Sequence, residues 1–229
     1  LHECRGFPNL SGDQLGRVMQ ACYEAGIQLF THANGDGAID LLLDTHQAVL
    51  DSMEQIPEDM RNVIIHSQFV RPDQLKLYKK YEMIPAYFSN HAFFWGDTHL
   101  KNLGEERANF LSPLKASMDL GLVCTNHTDF PITPIDQLFL VGTAVNRTSR
   151  SGKVLGKDQR LTAYEGLKTI TINAAYQHKE EDIKGSIKAG KLADFVILAE
   201  NPLTVDPDKI KDIQILETIK EGETIFNRE

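Results

Sequence analysis

The sequence predicts an α/β fold: β/α units with parallel strands, then a small β segment. Three observations carry this reading. Short apolar stretches alternate with amphipathic helical stretches four times before residue 146, and such alternation implies parallel strands joined by helical crossovers. The strands are apolar without polar alternation, which suits a sheet covered on both faces. From Gly185 the texture changes to strand-like runs punctuated by Gly190 and by Glu221-Gly222.

The elements follow in order. Asp13–Ala25 has Leu15, Val18, Met19 and Cys22 at helical spacing, with Ser11 as a possible N-cap and Gly26 as a stop. Ile27–Phe30 is a short strand ending in the polar, glycine-rich loop Thr31–Gly37. A helix from Ala38 to Met53 carries Ile39, Leu42, Leu43, His46, Val49 and Leu50 on one face, which makes His46 a packing histidine. Val63–Ile65 is a strand ending at His66, and a helix follows Pro72. Ile84–Phe88 is a strand ending in Ser89-Asn90-His91, before an aromatic loop with Phe93, Phe94 and Trp95. Pro113–Leu120 is a helix, Gly121–Cys124 a strand ending in Thr125–Asp129, and Pro134–Val145 a helix. Arg147–Arg160 reads as a loop, Leu161–Ala175 as a helix, and Lys191–Leu198 and Ile213–Phe226 as antiparallel strands.

Composition excludes several functions. The chain has 229 residues, one large domain or one with a small second. Hydrophobic residues at 41% and charged residues at 24% exclude wholesale disorder. With 24 Lys+Arg against 32 Asp+Glu, a net charge of −8 and no basic cluster, no nucleic-acid partner is expected. No apolar run approaches the ~20 residues that cross a bilayer, so no membrane partner is expected either. Cys4, Cys22 and Cys124 form no C-x-x-C pair, which fits a reduced, cytoplasmic protein. No G-x-S-x-G, P-loop or G-x-G-x-x-G occurs, so serine hydrolysis and nucleotide binding have no motif behind them.

The polar residues with chemical potential fall at strand ends. His32, His66, His91 and Asp129 each follow an apolar strand. In a parallel β/α architecture those are the carboxyl ends, the face where barrel enzymes place their sites. Imidazole nitrogen and carboxylate oxygen bind Zn²⁺, whose charge brings the pKa of its water toward ~7. Singly, a strand-end histidine is more often a loop-capping donor; three strand ends of ligand type on one sheet favour a metal. His91 reads as a substrate contact. His127 lies two residues from Asp129 and points the other way if the strand is still extended. Asp36 either orients a ligand histidine or caps the next helix. Phe93, Phe94 and Trp95 either line an apolar pocket or pack in the core.

Three segments, Thr31-His32-Ala33-x-Gly35-Asp36, Ile65-His66-Ser67-Gln68 and Thr128-Asp129-Phe130-Pro131, resemble the amidohydrolase superfamily. The likeness is closer to its family 3 branch, with YtcJ-like, N-substituted formamide deformylase-like and AepA-like members. The tail Gly185-Ser186-Ile187-x-x-Gly190-Lys191-x-Ala193-Asp194-Phe195 is similar to the segment returning from that family's barrel to its β-sandwich. The resemblance implies the second half of a TM-type (β/α)₈ barrel over residues 1–180, strands five to eight, and part of a β-sandwich over 181–229. It implies His32, His66 and Asp129 as ligands of one or two divalent ions, zinc first. Asp129 is then also the catalytic base, taking a proton from water and delivering it to the leaving amine of a C–N bond in a small-molecule substrate. His91, Trp95 and His127 are expected to contact that substrate, with Asp36 behind a ligand.

The sequence departs from the family pattern in having no H-x-H pair, and the bridging Lys or acidic ligand of the fourth strand has no counterpart. With a first segment Leu1-His2-Glu3, this leads to the expectation of a fragment that self-associates or joins a missing N-terminal half. The alternative expectation is a non-catalytic relative with a regulatory or scaffold role.

Overall fold

The computed structural model describes residues 6–229, so His2 and Cys4 lie outside the described residues. Ser11 starts helix α1 (Gly12–Glu24) through a reciprocal cap: its Oγ accepts the Gln14 N–H, and Gln14 Oε1 accepts the Ser11 N–H. Strand β1 is Phe30–Ala33, not the expected Ile27–Phe30. The Ile27 N–H still belongs to the helix terminus, donating to the Cys22 carbonyl. Gln28 sends its side chain to the carbonyls of Arg61 and Gln177. His32 therefore lies within the strand rather than after it.

Next come α2 (Asp36–Ser52), β2 (Val63–His66), α3 (Pro72–Lys80) and β3 (Ile84–Tyr87). The expected aromatic loop is a helix: α4 (Asn90–Asn109) contains Phe93, Phe94 and Trp95 and is interrupted at Gly104, where φ is +78°. Then follow α5 (Leu114–Asp119) and β4 (Thr125–Asn126). Strand β4 is two residues long and starts after the expected Gly121–Cys124, because Leu122 is spent closing α5 onto the Ser117 carbonyl. Helix α6 (Gln137–Asn146) precedes α7 (Ala163–Ile170) and α8 (Ile172–Gln177). The expected single helix Leu161–Ala175 breaks at Thr171, where φ −124° and ψ −98° leave the helical region.

The four strands pair in parallel in the order β1-β2-β3-β4. The pleat sorts their residues between two layers. Ala33, Ile64 and Tyr87 pack with α1–α3 residues such as Met19, Ile39, Leu42 and Tyr78. Val63, Ile65, Ile84 and Ala86 face the other side, against Tyr176 of α8. Each large side chain so buried contributes roughly 1.5–3 kcal/mol.

After α8 the chain builds an antiparallel sheet from β5 (Phe195–Leu198), β6 (Ile215–Lys220) and β7 (Glu223–Asn227). Glu221 and Gly222 form the two-residue turn between the last two, both at positive φ, +52° and +86°. Ile210, in a 3₁₀ turn before β6, packs on Val141 and Val145 of α6 and ties this part to the β/α units. Among the described residues, no helix is long and apolar enough to cross a membrane.

Candidate metal centre

The carboxyl ends of the four strands gather a cluster of histidines. In register, His66 stands beside Ala33 and Tyr87, both of which turn into the helix layer. An unbroken strand would send His66 the same way. Instead its φ is +74° and that of Ser67 +44°. This left-handed backbone, uncommon and strained outside glycine, swings the imidazole toward the strand ends. There its ring meets His32 edge-to-face at 4.6 Å between centroids, His127 at 5.1 Å and His91 at 5.7 Å. Asp129 is held the same way, at φ +54°.

One ligand atom each from His66, His127 and Asp129 lies within 4.8 Å of the other two. His32 is exposed on edge strand β1 and reaches the group through the His66 ring. His66 is buried, its Nδ1 without a partner among the described residues. Unpartnered too are Asn34 Oδ1, Asn90 Oδ1, His91 Nδ1 and His127 Nε2, each close after a strand. Buried polar atoms are nearly always paired, so orphans concentrated at these strand ends indicate a site built for an occupant. Imidazole nitrogen from His66 and the Asp129 carboxylate, brought together at these strand ends, fit a divalent cation.

Burial keeps these rings neutral. It lowers the pKa of His66, an effect Asp129 opposes and His32 reinforces. It pushes His91 down to about 3, with His66, His99 and His127 adding to the shift, and His127 down to about 4, aided by His66 and opposed by Asp129. A neutral imidazole keeps a lone pair for a metal or an N–H for a ligand.

The remaining expected residues fall into two places. His91 sits in the first turn of α4, its ring 5.6 Å from Trp95, and Trp95 lies 6.0 Å from Phe88. Together they form one aromatic wall beside the cluster. Asp36 begins α2 and pairs with arginines, Arg107 at 3.2 Å and Arg71 at 3.8 Å. His99, which shows no pattern in the sequence, joins the edge of the site, hydrogen-bonded to Gln68 at 2.9 Å with its ring 6.4 Å from His91. It stands two helical turns after His91, the one signal that places it on the same face.

A family model described as "Amidohydrolase family" matches residues 1–226. The N-substituted formamide deformylase of Arthrobacter pascens is 28% identical over 204 residues, covering 89% of this chain and 37% of that protein. The crystal structure of an uncharacterized metal-dependent hydrolase from Pyrococcus horikoshii OT3 superposes with a TM-score of 0.73 at 28% identity, over 87% of this chain and 39% of that one. An amidohydrolase from Thermotoga maritima MSB8, at 18% identity and TM-score 0.66, shows the same fold over 99% of this chain and 50% of that one. The chain spans 34% to 40% of the length of the curated relatives it matches. Its parallel units correspond to part of a (β/α)₈ barrel, with the antiparallel sheet beside it.

Proposed function

The chain belongs to the amidohydrolase family, and on that premise we propose that it carries one side of a metal-dependent site hydrolysing an amide-like C–N bond of a small molecule. His32, His66 and Asp129 are the proposed ligands. The observation that carries this is the convergence of His66 and Asp129, each at a strained positive φ, around unpartnered ring nitrogen. A divalent ion bound there, zinc in our reading, supplies Lewis acidity toward water and the substrate carbonyl. The Asp129 carboxylate accepts a proton from water and returns it to the leaving nitrogen. His91 and Trp95 wall the substrate, and burial keeps His91 neutral so that it does not repel a cation. Asp36, through Arg71 and Arg107, fixes the start of α2 next to the His32 loop.

We take the setting to be reducing and cytoplasmic, which the free Cys22 and the buried, free Cys124 support. Self-association, or pairing with a further half-barrel, remains our reading of the partners. It is supported by the outer position of β1 and β4 in the sheet and by the tendency of uncovered strand edges to pair.

The test is zinc content after purification without chelator, followed by assay on N-substituted formamides and simple amides. About one ion per chain in wild type, lost in His66→Asn, is the expected result. No ion after incubation with Zn²⁺ overturns the reading.

A further inference from the structure

A neutral imidazole has one N–H and one lone pair, and at His127 the backbone decides which nitrogen holds which. The Asp129 N–H donates to His127 Nδ1 at 3.1 Å. A peptide N–H cannot accept, so Nδ1 presents its lone pair and the proton of the neutral ring sits on Nε2. That Nε2 is buried and has no hydrogen-bond partner among the described residues. The carbonyl of Ala86 favours a charged ring but makes no hydrogen bond to Nε2.

The ring is also held still. It stacks on Phe88 with centroids 5.5 Å apart and planes 21° from parallel. The His127 N–H extends the sheet by donating to the Tyr87 carbonyl at 2.9 Å. Two residues on, the left-handed turn at Asp129 aims its N–H back at Nδ1.

This tautomer disqualifies both nitrogens as metal ligands. Nδ1 has its lone pair engaged by the peptide, and Nε2 carries a proton. His127 lies within the same 4.8 Å group as His66 and Asp129, so proximity alone would enrol it as a third ligand. Hydrogen bonding gives it a different task.

We propose that His127 is the hydrogen-bond donor of this site: its Nε2–H receives the carbonyl oxygen of an amide-type substrate, while the ion is left to His66, Asp129 and His32. The identity of the acceptor rests on the hydrolase reading; the tautomer does not. A fixed donor aimed at an oxygen that gains charge during attack needs no rearrangement as the reaction proceeds.

Three measurements on the full chain test this. In metal-free ¹⁵N-labelled protein, NMR of the His127 ring should show an unprotonated Nδ1 and a protonated Nε2. In a Zn²⁺ titration, His66→Asn should weaken binding by about 100-fold or more, a scale set by the 10–100-fold that even outer-shell changes cost. His127→Leu and the donor-retaining His127→Gln should stay within about threefold of wild type, since neither removes a ligand. Acetamide, as a carbonyl probe, should shift the Nε2–H resonance in a saturable way.

A proton on Nδ1, zinc loss in both His127 variants as deep as in His66→Asn, or an Nε2–H signal that ignores acetamide overturns the assignment. Failure of the hydrolase reading shows separately, as zinc-loaded wild type that cleaves no formamide or amide while the three His127 readouts stand.

Discussion

The phenol oxygen of Tyr23 and Nδ1 of His46 stand 2.7 Å apart in the buried seam between α1 and α2. Asn62 Nδ2 donates to the same phenol oxygen at 3.0 Å. Tyr23 thus links His46 and Asn62, and the three residues form a hydrogen-bonded chain that orders the seam at the amino end of β2. Burial, helped by the nearby Lys80 charge, pushes His46 down to about 4.

That shift makes the fold acid-sensitive. Above the unfolded value near 6.5 the ring is neutral in both states and costs nothing. Below it the unfolded chain takes up a proton that the folded chain refuses, so stability falls as pH drops from about 6.5 to about 4. At about 1.4 kcal/mol per unit, this ring accounts for a loss on the order of 3 kcal/mol. Urea midpoints of wild type and His46→Gln at pH 7 and 4.5 check it. The variant, whose amide oxygen can still accept from Tyr23, should lose distinctly less on acidification.

Asp129→Asn retains the shape of the residue and removes its charge and its basicity. Zinc affinity should fall about 10–100-fold, and hydrolysis of a formamide substrate by at least about 100-fold. Calorimetric zinc titration beside an assay at saturating zinc separates the two effects. Unchanged turnover at full occupancy would remove Asp129 from the base role.

Arg147 is completely buried at the end of α6, and its guanidinium donates to the carbonyls of Leu155, Ser112 and Leu111. Burial lowers its pKa to about 10, so the group stays charged at neutral pH. Lysine is a point donor and cannot span that fork. Arg147→Lys should cost about 2–3 kcal/mol, a Tm drop of roughly 4–12 °C for a chain of this size. Thermal melts followed by circular dichroism are the check.

The β6–β7 turn offers a change in the other direction. Glu221 occupies a left-handed position, φ +52°, where asparagine is far better tolerated. Glu221→Asn should stabilise by about 0.5 kcal/mol, because its side chain tolerates the left-handed turn. Gly222→Ala, at φ +86°, should destabilise by about 1 kcal/mol or more. Paired denaturant midpoints would show the opposite signs.

The sequence made the β/α alternation legible because each strand lies in or directly after a short apolar run, and parallel topology then puts the ends on one face. His66 and Asp129 could be named from that alone. Their orientation could not, since nothing in Ile65-His66-Ser67 or Thr128-Asp129-Phe130 announces a left-handed backbone. Strand limits slipped where apolar residues serve a helix end instead, as Ile27 does for α1 and Leu122 for α5. Phe93-Phe94-Trp95 reads as loop because aromatic residues are mediocre helix formers, and tertiary contacts with Phe139 and Phe88 override that preference. The break at Thr171 lies in the run Ile170-Thr171-Ile172, where β-branched residues weaken a helix that the periodicity alone would continue.

Strand β4 delivers Asp129, yet it joins the sheet through two residue pairs, Ala86 with Thr125 and Tyr87 with Asn126. Beyond those pairs and the His127 N–H bond to the Tyr87 carbonyl, side chains anchor it. Thr125 Oγ1 donates to Gln177 Oε1 at 2.7 Å, Asn173 Nδ2 to the Cys124 carbonyl at 2.9 Å, and Asn126 Nδ2 to Ser89 Oγ at 2.9 Å. Two of those three tethers come from α8. The placement of the carboxylate is thus delegated to a short helix that touches none of the chemistry. A sequence change at Asn173 or Gln177 would be felt as a misplaced ligand, and a screen that watches only the strand-end histidines would overlook where the tuning is done.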